Sequence, residues 1–315
     1  MTKPLIPFIS QLPLVEQLQW VERLNQLMPN VNVTIASAIE AIDKSQCELA
    51  IVANPLPEEL LSFTHLIWVQ SLWAGVERLV SEIENPSFEI VRLVDPCLAQ
   101  TMADAVVAWS YYLHRDMPLY ASQQKNKHWL QHRVSLTTEC TIGVLGLGEL
   151  GLASAKKLAL NGFNVLGWSQ QEKAGENMQC YVGPSGLHQV ISQSDIVVIL
   201  LPLTDKTTDL LDKTLFSLMK SGAGLINFSR GKIINDNDLM SALTNGIISH
   251  AVLDVFAQEP LPVENSLWSH PNVTVLPHIS APTNIDTACN IVKNNIDEFF
   301  LTRQFPPSID LAKGY

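Results

Sequence analysis

Residues 141–169 read TIGVLGLGELGLASAKKLALNGFNVLGWS, and this stretch decides the fold. The apolar run 141–146 predicts a strand. The spacing Gly146-x-Gly148-x-x-Gly151 follows it directly, with a helix opening at Glu149 and Leu150 and a second strand predicted over 164–169. In that context the first glycine permits a tight turn, the second lets backbone approach a pyrophosphate, and the third allows close helix–strand packing. The helix start supplies oriented N–H groups and the positive end of its dipole, a natural anion site. The pattern is that of a dinucleotide-binding βαβ unit.

The same rhythm continues outward. Strands are predicted over 195–201, 223–229, 248–254 and 273–277, with helices between them, and DIVVILL (195–201) is apolar at nearly every position, as a strand covered on both faces requires. Before the glycine motif, strands are predicted over 4–10, 48–53, 66–71 and 89–95, with helices over 14–28 and 76–83. A further helix runs from Gln100 to Met117 with Met102, Val106, Trp109, Leu113 and Met117 on its apolar face. Residues 120–140 are polar and read as an irregular connection, and a final helix follows Pro282 to about Thr302. The alternation predicts an α/β protein with parallel sheets. Its 315 residues divide into a unit at 1–99, rejoined by 285–315, and a dinucleotide-binding unit at 100–284.

Bulk properties narrow the partners. The net charge of −11 disfavours a nucleic-acid or anionic membrane surface. The five cysteines are scattered without CxxC or Cys/His ligand spacing, so neither a disulfide framework nor a metal site is expected. No apolar run approaches the roughly 20 residues of a membrane span, and the N-terminus lacks the apolar core of a signal peptide. A cytoplasmic location is expected.

An NAD site commonly carries an acidic residue at the end of the second strand. Here that region reads Gly167-Trp168-Ser169-Gln170-Gln171-Glu172-Lys173. With no carboxylate at the strand end, and Ser169 and Lys173 available to a 2′-phosphate, NADP(H) is favoured, with NAD(H) as the alternative. Three residues after later strands carry candidate chemistry: Arg230 in SRG (229–231), Glu259 in LDVFAQEPLP (253–262) and His278 in LPHISAPT (276–283). All fall beyond C-terminal strand ends, where open α/β sheets bind ligands. A guanidinium fork suits a carboxylate, and an imidazole titrates near neutrality and can give or take a proton. A neighbouring carboxylate stabilises the imidazolium. Taken singly, each residue also fits a surface ion pair or a turn.

The order GxGxxG, LLPLT (200–204), INFSRG (226–231), LDVFAQEPLP and PHISA (277–281) resembles the D-isomer-specific 2-hydroxyacid dehydrogenases, and within them the glyoxylate/hydroxypyruvate reductase A subgroup. SLWAGVERL (71–79), HWLQ (128–131) and the terminal AKGY add to the likeness. The resemblance implies reduction of a small 2-oxo acid to the 2-hydroxy acid, with Arg230 binding substrate, His278 as acid/base and Glu259 as its partner. It implies that Ala74, Gly75 and Val76 present backbone N–H groups to the carboxylate, and that Asp254 holds the nicotinamide carboxamide. Pro202, Leu203 and Thr204 would line the cofactor. Trp73 stands where the subgroup commonly has a small residue, so its indole is expected either to fill space beside the substrate or to enter the core. The resemblance further implies a Rossmann-type domain inserted into a flavodoxin-like substrate domain with a closing cleft, and a homodimer whose contact element is the helix from Gln100. Two other functions compete: a dehydrogenase acting on a different small acid such as formate, against which Glu259 speaks, and a non-catalytic dinucleotide-sensing protein.

Overall fold

The computed structural model describes residues 3–83, 85–173 and 178–311; the terminal AKGY (312–315) lies outside them. Two compact units are present, Met1–Cys97 with Thr283–Tyr315, and Leu98–Pro282.

In the first unit the strands are β1 (Leu5–Ser10), β2 (Asn32–Ile35), β3 (Leu49–Ala53), β4 (Trp68–Ser71) and β5 (Glu89–Val91). Helices α1 (Leu14–Leu27), α2 (Ala41–Lys44), α3 (Pro57–Leu61) and α4 (Glu77–Glu82) connect them. All pairings are parallel and the strand order is β2-β1-β3-β4-β5, the flavodoxin-like order. Successive side chains of a strand face opposite ways, and the two cores show it. Ile6, Phe8, Leu49, Ile51 and Ala53 enter one cluster, while Ile9, Ala50 and Val52 enter the other. Strand β2 was not anticipated: NVTI is a short edge strand with an exposed first residue, which leaves little apolar signal.

The second unit opens with α5 (Pro96–His114), whose first two residues belong to the first unit, and α6 (Met117–Lys125). It continues with β6 (Thr141–Leu145), α7 (Glu149–Leu160), β7 (Asn164–Ser169), β8 (Gln179–Val182), α8 (Gly183–Gln193) and β9 (Ile196–Ile199). Then come α9 (Lys213–Leu218), β10 (Ala223–Asn227), α10 (Asp236–Thr244), β11 (Ile248–Leu253) and β12 (Val273–Val275). The sheet is parallel throughout in the order β12-β11-β10-β9-β6-β7-β8. Counted from β6 this is the doubly wound Rossmann order with a seventh strand added, and its direction reverses between β6 and β9. Leu145, Val197, Ile199 and Leu225 face one core, and Ile142, Val144, Val198 and Ile226 the other.

Two expectations need correction. The helix expected over Gln100–Met117 starts earlier and stops at His114, because Asp116 takes a left-handed conformation (φ 53°) and Pro118 sits in the first turn of α6. Proline is tolerated there and breaks the helix it would otherwise continue. Residues 120–140, expected to be irregular, are helical as far as Lys125. The polar run ASQQK hides that helix, although Gln123 is buried and contacts the His132 ring. Among the described residues no helix is long and apolar enough to cross a membrane.

The chain returns to the first unit as α11 (Ile285–Thr302). Asn284 caps it, accepting the amides of Asp286 and Thr287. Ala288, Cys289, Val292, Ile296 and Phe299 then pack with Trp20, Leu24 and Trp68. Phe299 is fully buried with its ring 5.5 Å from that of Trp68. Phe299→Ala should therefore destabilise the protein by about 3–5 kcal/mol, read as a lower urea midpoint; an unchanged midpoint would show that α11 is not anchored by this ring.

Candidate active site

The glycine turn is shaped by contacts that side chains cannot meet. Gly146 has φ 101°, and a Cβ there would lie 2.6 Å from the Leu200 carbonyl oxygen. At Gly151 a Cβ would lie 1.7 Å from the carbonyl oxygen of Gly146, so α7 can approach β6 only with glycine. Gly148 differs: a Cβ there meets nothing within 4 Å, and as N-cap of α7 it offers no side-chain cap. The start of a 12-residue helix is thus open at the switch point of the sheet. A dinucleotide pyrophosphate fits such a bare, N–H-rich turn.

At the end of β7, Ser169 is buried and its hydroxyl donates to the Gln171 carbonyl. That contact closes the local turn. Lys173 is exposed. Beyond β9, Pro202, Leu203 and Thr204 are half-buried in a loop tied by Thr207. The Thr207 hydroxyl donates to the Pro202 carbonyl (2.7 Å) and accepts the Thr204 amide (2.8 Å). Thr207 is buried and was not singled out in the sequence; its spacing of three from Thr204, typical of a hydroxyl-closed turn, is the signal that could have found it.

Arg230, Glu259 and His278 come together at adjacent strand ends. Strands β10, β11 and β12 stop in register, Asn227 beside Leu253 and Leu253 beside Val275. Arg230 is half-buried three residues beyond β10, and its Nη1 donates to the Ser229 carbonyl at 2.7 Å. Gly231 follows, and a Cβ there would lie 1.9 Å from the Phe256 carbonyl carbon. The arginine turn therefore packs directly on the backbone of the glutamate loop. In that loop Glu259 Oε1 accepts the Phe256 amide (2.9 Å) and Oε2 faces His278 Nδ1 at 2.8 Å.

Charge in this group is set by its neighbours. For His278 the hydrogen bond to Glu259 pushes the pKa up; burial opposes, the charges of Glu259 and Asp254 add to the rise and that of Arg230 counters it, with a net upward shift. Burial pushes the Glu259 carboxyl up, but hydrogen bonds from His278 and the Phe256 amide, with the charges of His278 and Arg230, outweigh it and hold the group below its usual range. Each partner favours the charged form of the other. With Nδ1 held by the carboxylate, Nε2 is left as the nitrogen that exchanges a proton with a reactant.

The other expected site residues are held by local contacts. Asp254, expected at the nicotinamide, is 2% exposed, and its oxygens accept the amides of Ile279 (2.7 Å) and Ser280 (2.9 Å). Trp73 leans on the core of the first unit, its ring edge-on to Trp20 at 6.3 Å, because the α1 face carrying Trp20 offers an apolar wall. Its backbone is fixed by Ser71, whose hydroxyl accepts the Trp73 amide. Ala74 and Gly75 are half-buried and Val76 buried in the loop between β4 and α4. On α5, Met102 and Val106 enter the core of the second unit and Trp109 and Leu113 pack against it.

Known proteins resemble this chain along its length. Residues 107–280 match the family model described as D-isomer specific 2-hydroxyacid dehydrogenase, NAD binding domain. A glyoxylate/hydroxypyruvate reductase A from Yersinia enterocolitica is 34% identical over 309 residues, covering 96% of this chain and 98% of that protein. Among solved structures, a D-isomer-specific 2-hydroxyacid dehydrogenase from Xanthobacter autotrophicus in complex with NADPH and MES superposes with a TM-score of 0.93 at 34% identity, over 100% of both chains. An NADPH-dependent glyoxylate/hydroxypyruvate reductase from Sinorhizobium meliloti, in complex with NADP and sulfate, gives 0.90 at 28% identity over 99% of this chain and 100% of that one. A parallel sheet with a glycine turn at its switch point, an arginine, a glutamate–histidine pair and a match of this extent lead to one assignment: the chain belongs to the D-isomer-specific 2-hydroxyacid dehydrogenase family.

Proposed function

We propose that this protein reduces small 2-oxo acids, with glyoxylate and hydroxypyruvate as its substrate class and NADPH as the preferred reductant. The observation that carries the reading is the 2.8 Å Glu259–His278 contact beside Arg230, on three strands that end in register. When bound at the Gly146–Gly151 turn, a reduced nicotinamide dinucleotide supplies the hydride. Arg230 binds the substrate carboxylate and draws electron density toward the carbonyl oxygen, a charge-assisted interaction that strengthens as negative charge develops. His278 gives the Nε2 proton to that oxygen as the alcohol forms. Glu259 stays ionised, keeps the imidazole oriented and stabilises its protonated form. In the oxidative direction neutral His278 takes the alcohol proton.

The absence of a carboxylate at Trp168–Gln170 supports the cofactor preference, with Lys173 favouring a 2′-phosphate and Glu172 opposing it. The X. autotrophicus and S. meliloti relatives, solved with NADPH and NADP, support it too. We also propose a homodimer, formed through the helix from Gln100 together with residues 129–136. Trp129 is 96% exposed, and Leu130, Val134 and Leu136 are exposed with it, a concentration of apolar surface that marks an interaction site. A cytoplasmic location remains part of this proposal.

Steady-state rates with glyoxylate and hydroxypyruvate, each with NADPH and NADH, test the reading. A higher kcat/KM with NADPH is expected, and a strong NADH preference would contradict the cofactor assignment. Arg230→Ala should lower kcat by about 10²–10³-fold with dinucleotide affinity nearly unchanged; near-normal turnover would remove Arg230 from the mechanism.

Reduction needs His278 protonated, so its rate falls as pH rises through the His278 pKa. Glu259 holds that pKa above its ordinary value, which places the falling limb at higher pH. Glu259→Gln removes the charge and should move the limb to lower pH in the kcat/KM profile. A limb that stays in place would show that Glu259 is not the partner. For assembly, Trp129→Ser with Leu130→Ser should convert a dimer to a monomer in light scattering; an unaltered dimer would place the contact elsewhere.

A further inference from the structure

The end of β11 carries a carboxylate that the mechanism above does not use. Asp254 is among the most deeply buried charged residues of the chain, and burying a carboxylate is unfavourable unless its lone pairs are filled. They are filled by one neighbouring turn. Oδ1 accepts the Ile279 amide at 2.7 Å, Oδ2 accepts the Ser280 amide at 2.9 Å, and the Asp254 carbonyl accepts the His278 amide at 3.0 Å. Three consecutive amides thus converge on a single residue. The backbone they fix is unusual, because His278 has φ 54°, a left-handed conformation that a non-glycine residue holds only where its surroundings over-determine it.

A counterpart sits on the next strand. Asn227 is buried at the end of β10; its Oδ1 accepts the amide (3.1 Å) and hydroxyl (2.9 Å) of Ser229, and its Nδ2 donates to the Arg230 carbonyl at 3.0 Å. The Asp254 amide donates to the Asn227 carbonyl at 3.1 Å. The two residues are therefore joined through backbone at neighbouring strand ends, the side chain of one tying the turn of Arg230 and that of the other the turn of His278.

We infer that Asp254 is a positioning residue for the reaction: it acts through His278, clamping the 278–280 turn so that the imidazole meets both Glu259 and the substrate, with Asn227 doing the same for Arg230. This rests on the function proposed above. Asp254 also contributes charge. The charged groups facing His278 are Glu259, Arg230 and Asp254, and the negative charge of Asp254 adds to that of Glu259 in favouring imidazolium.

Asp254→Asn tests the inference, since it keeps the shape, removes the charge and turns an NH2 toward an amide that needs an acceptor. Displacing the imidazole should lower kcat by about 10²-fold, with the dinucleotide Kd within about twofold of the parent as affinity remains set at the glycine turn. The falling limb of the reduction profile should move to lower pH, a change that general loosening does not produce. A second readout uses the unmodified chain: the Ile279 and Ser280 amides should be protected from hydrogen exchange although they lie in a loop. Parent-like kcat in Asp254→Asn would overturn the inference, as would rapid exchange at both amides. It would also fall if the entire loss lay in dinucleotide Kd with the limb unmoved, the signature of a carboxylate that holds the nicotinamide. Those results leave Arg230, Glu259 and His278 in place, whereas parent-like turnover in His278→Asn would overturn the reading on which it rests.

Discussion

Parallel pairing of β10, β11 and β12 puts Asn227, Leu253 and Val275 side by side at one edge of the sheet, and the whole candidate site depends on that register. In a parallel sheet every strand points its C-terminal end the same way, so three loops distant in sequence emerge together. Arg230, Glu259 and His278 lie within a few residues of those ends. A slip of one residue in any pairing would turn buried side chains to the opposite face. The two apolar cores that fill alternately from Leu225, Ile226, Ala251 and Val252 make such a slip costly.

Above that edge, backbone approach and charge set the geometry together. Gly231 lets the arginine turn rest on the Phe256–Ala257 backbone, which carries Glu259 toward His278. The glutamate then favours the charged form of the histidine while Arg230 opposes it. This balance suits a group that must release a proton in one direction and recover it in the other. A histidine with no anionic partner would be less charged near neutrality, and one without Arg230 would lack a neighbour able to receive a carboxylate. Relatives of similar length that carry reductase or dehydrogenase names are consistent with that chemistry.

Much of the architecture was legible because long, doubly covered strands must be apolar. DIVVILL contains β9, and TIGVLGLGELG fixes both β6 and the start of α7. Edge elements carried less signal: β8 is QCYV, half exposed, and β2 is NVTI. Arg230, Glu259 and His278 could be picked out because their side-chain chemistry is distinctive and each follows a strand. Asn227, Thr207 and the clamping contacts of Asp254 could not, because their work is hydrogen bonding to backbone that only the folded turns bring near. Trp73 shows the same limit. Its position in SLWAGVERL was readable, but its direction depends on Trp20, more than fifty residues earlier in the chain.

The central claim is that one proton on His278 is given in reduction and taken back in oxidation. Initial rates of the unmodified enzyme, measured in both directions across pH with glyoxylate and NADPH and with glycolate and NADP, test it most directly. Reduction should fall and oxidation should rise as pH climbs through the histidine titration. Rates that respond to pH in the same sense in both directions, or in neither, would contradict the account.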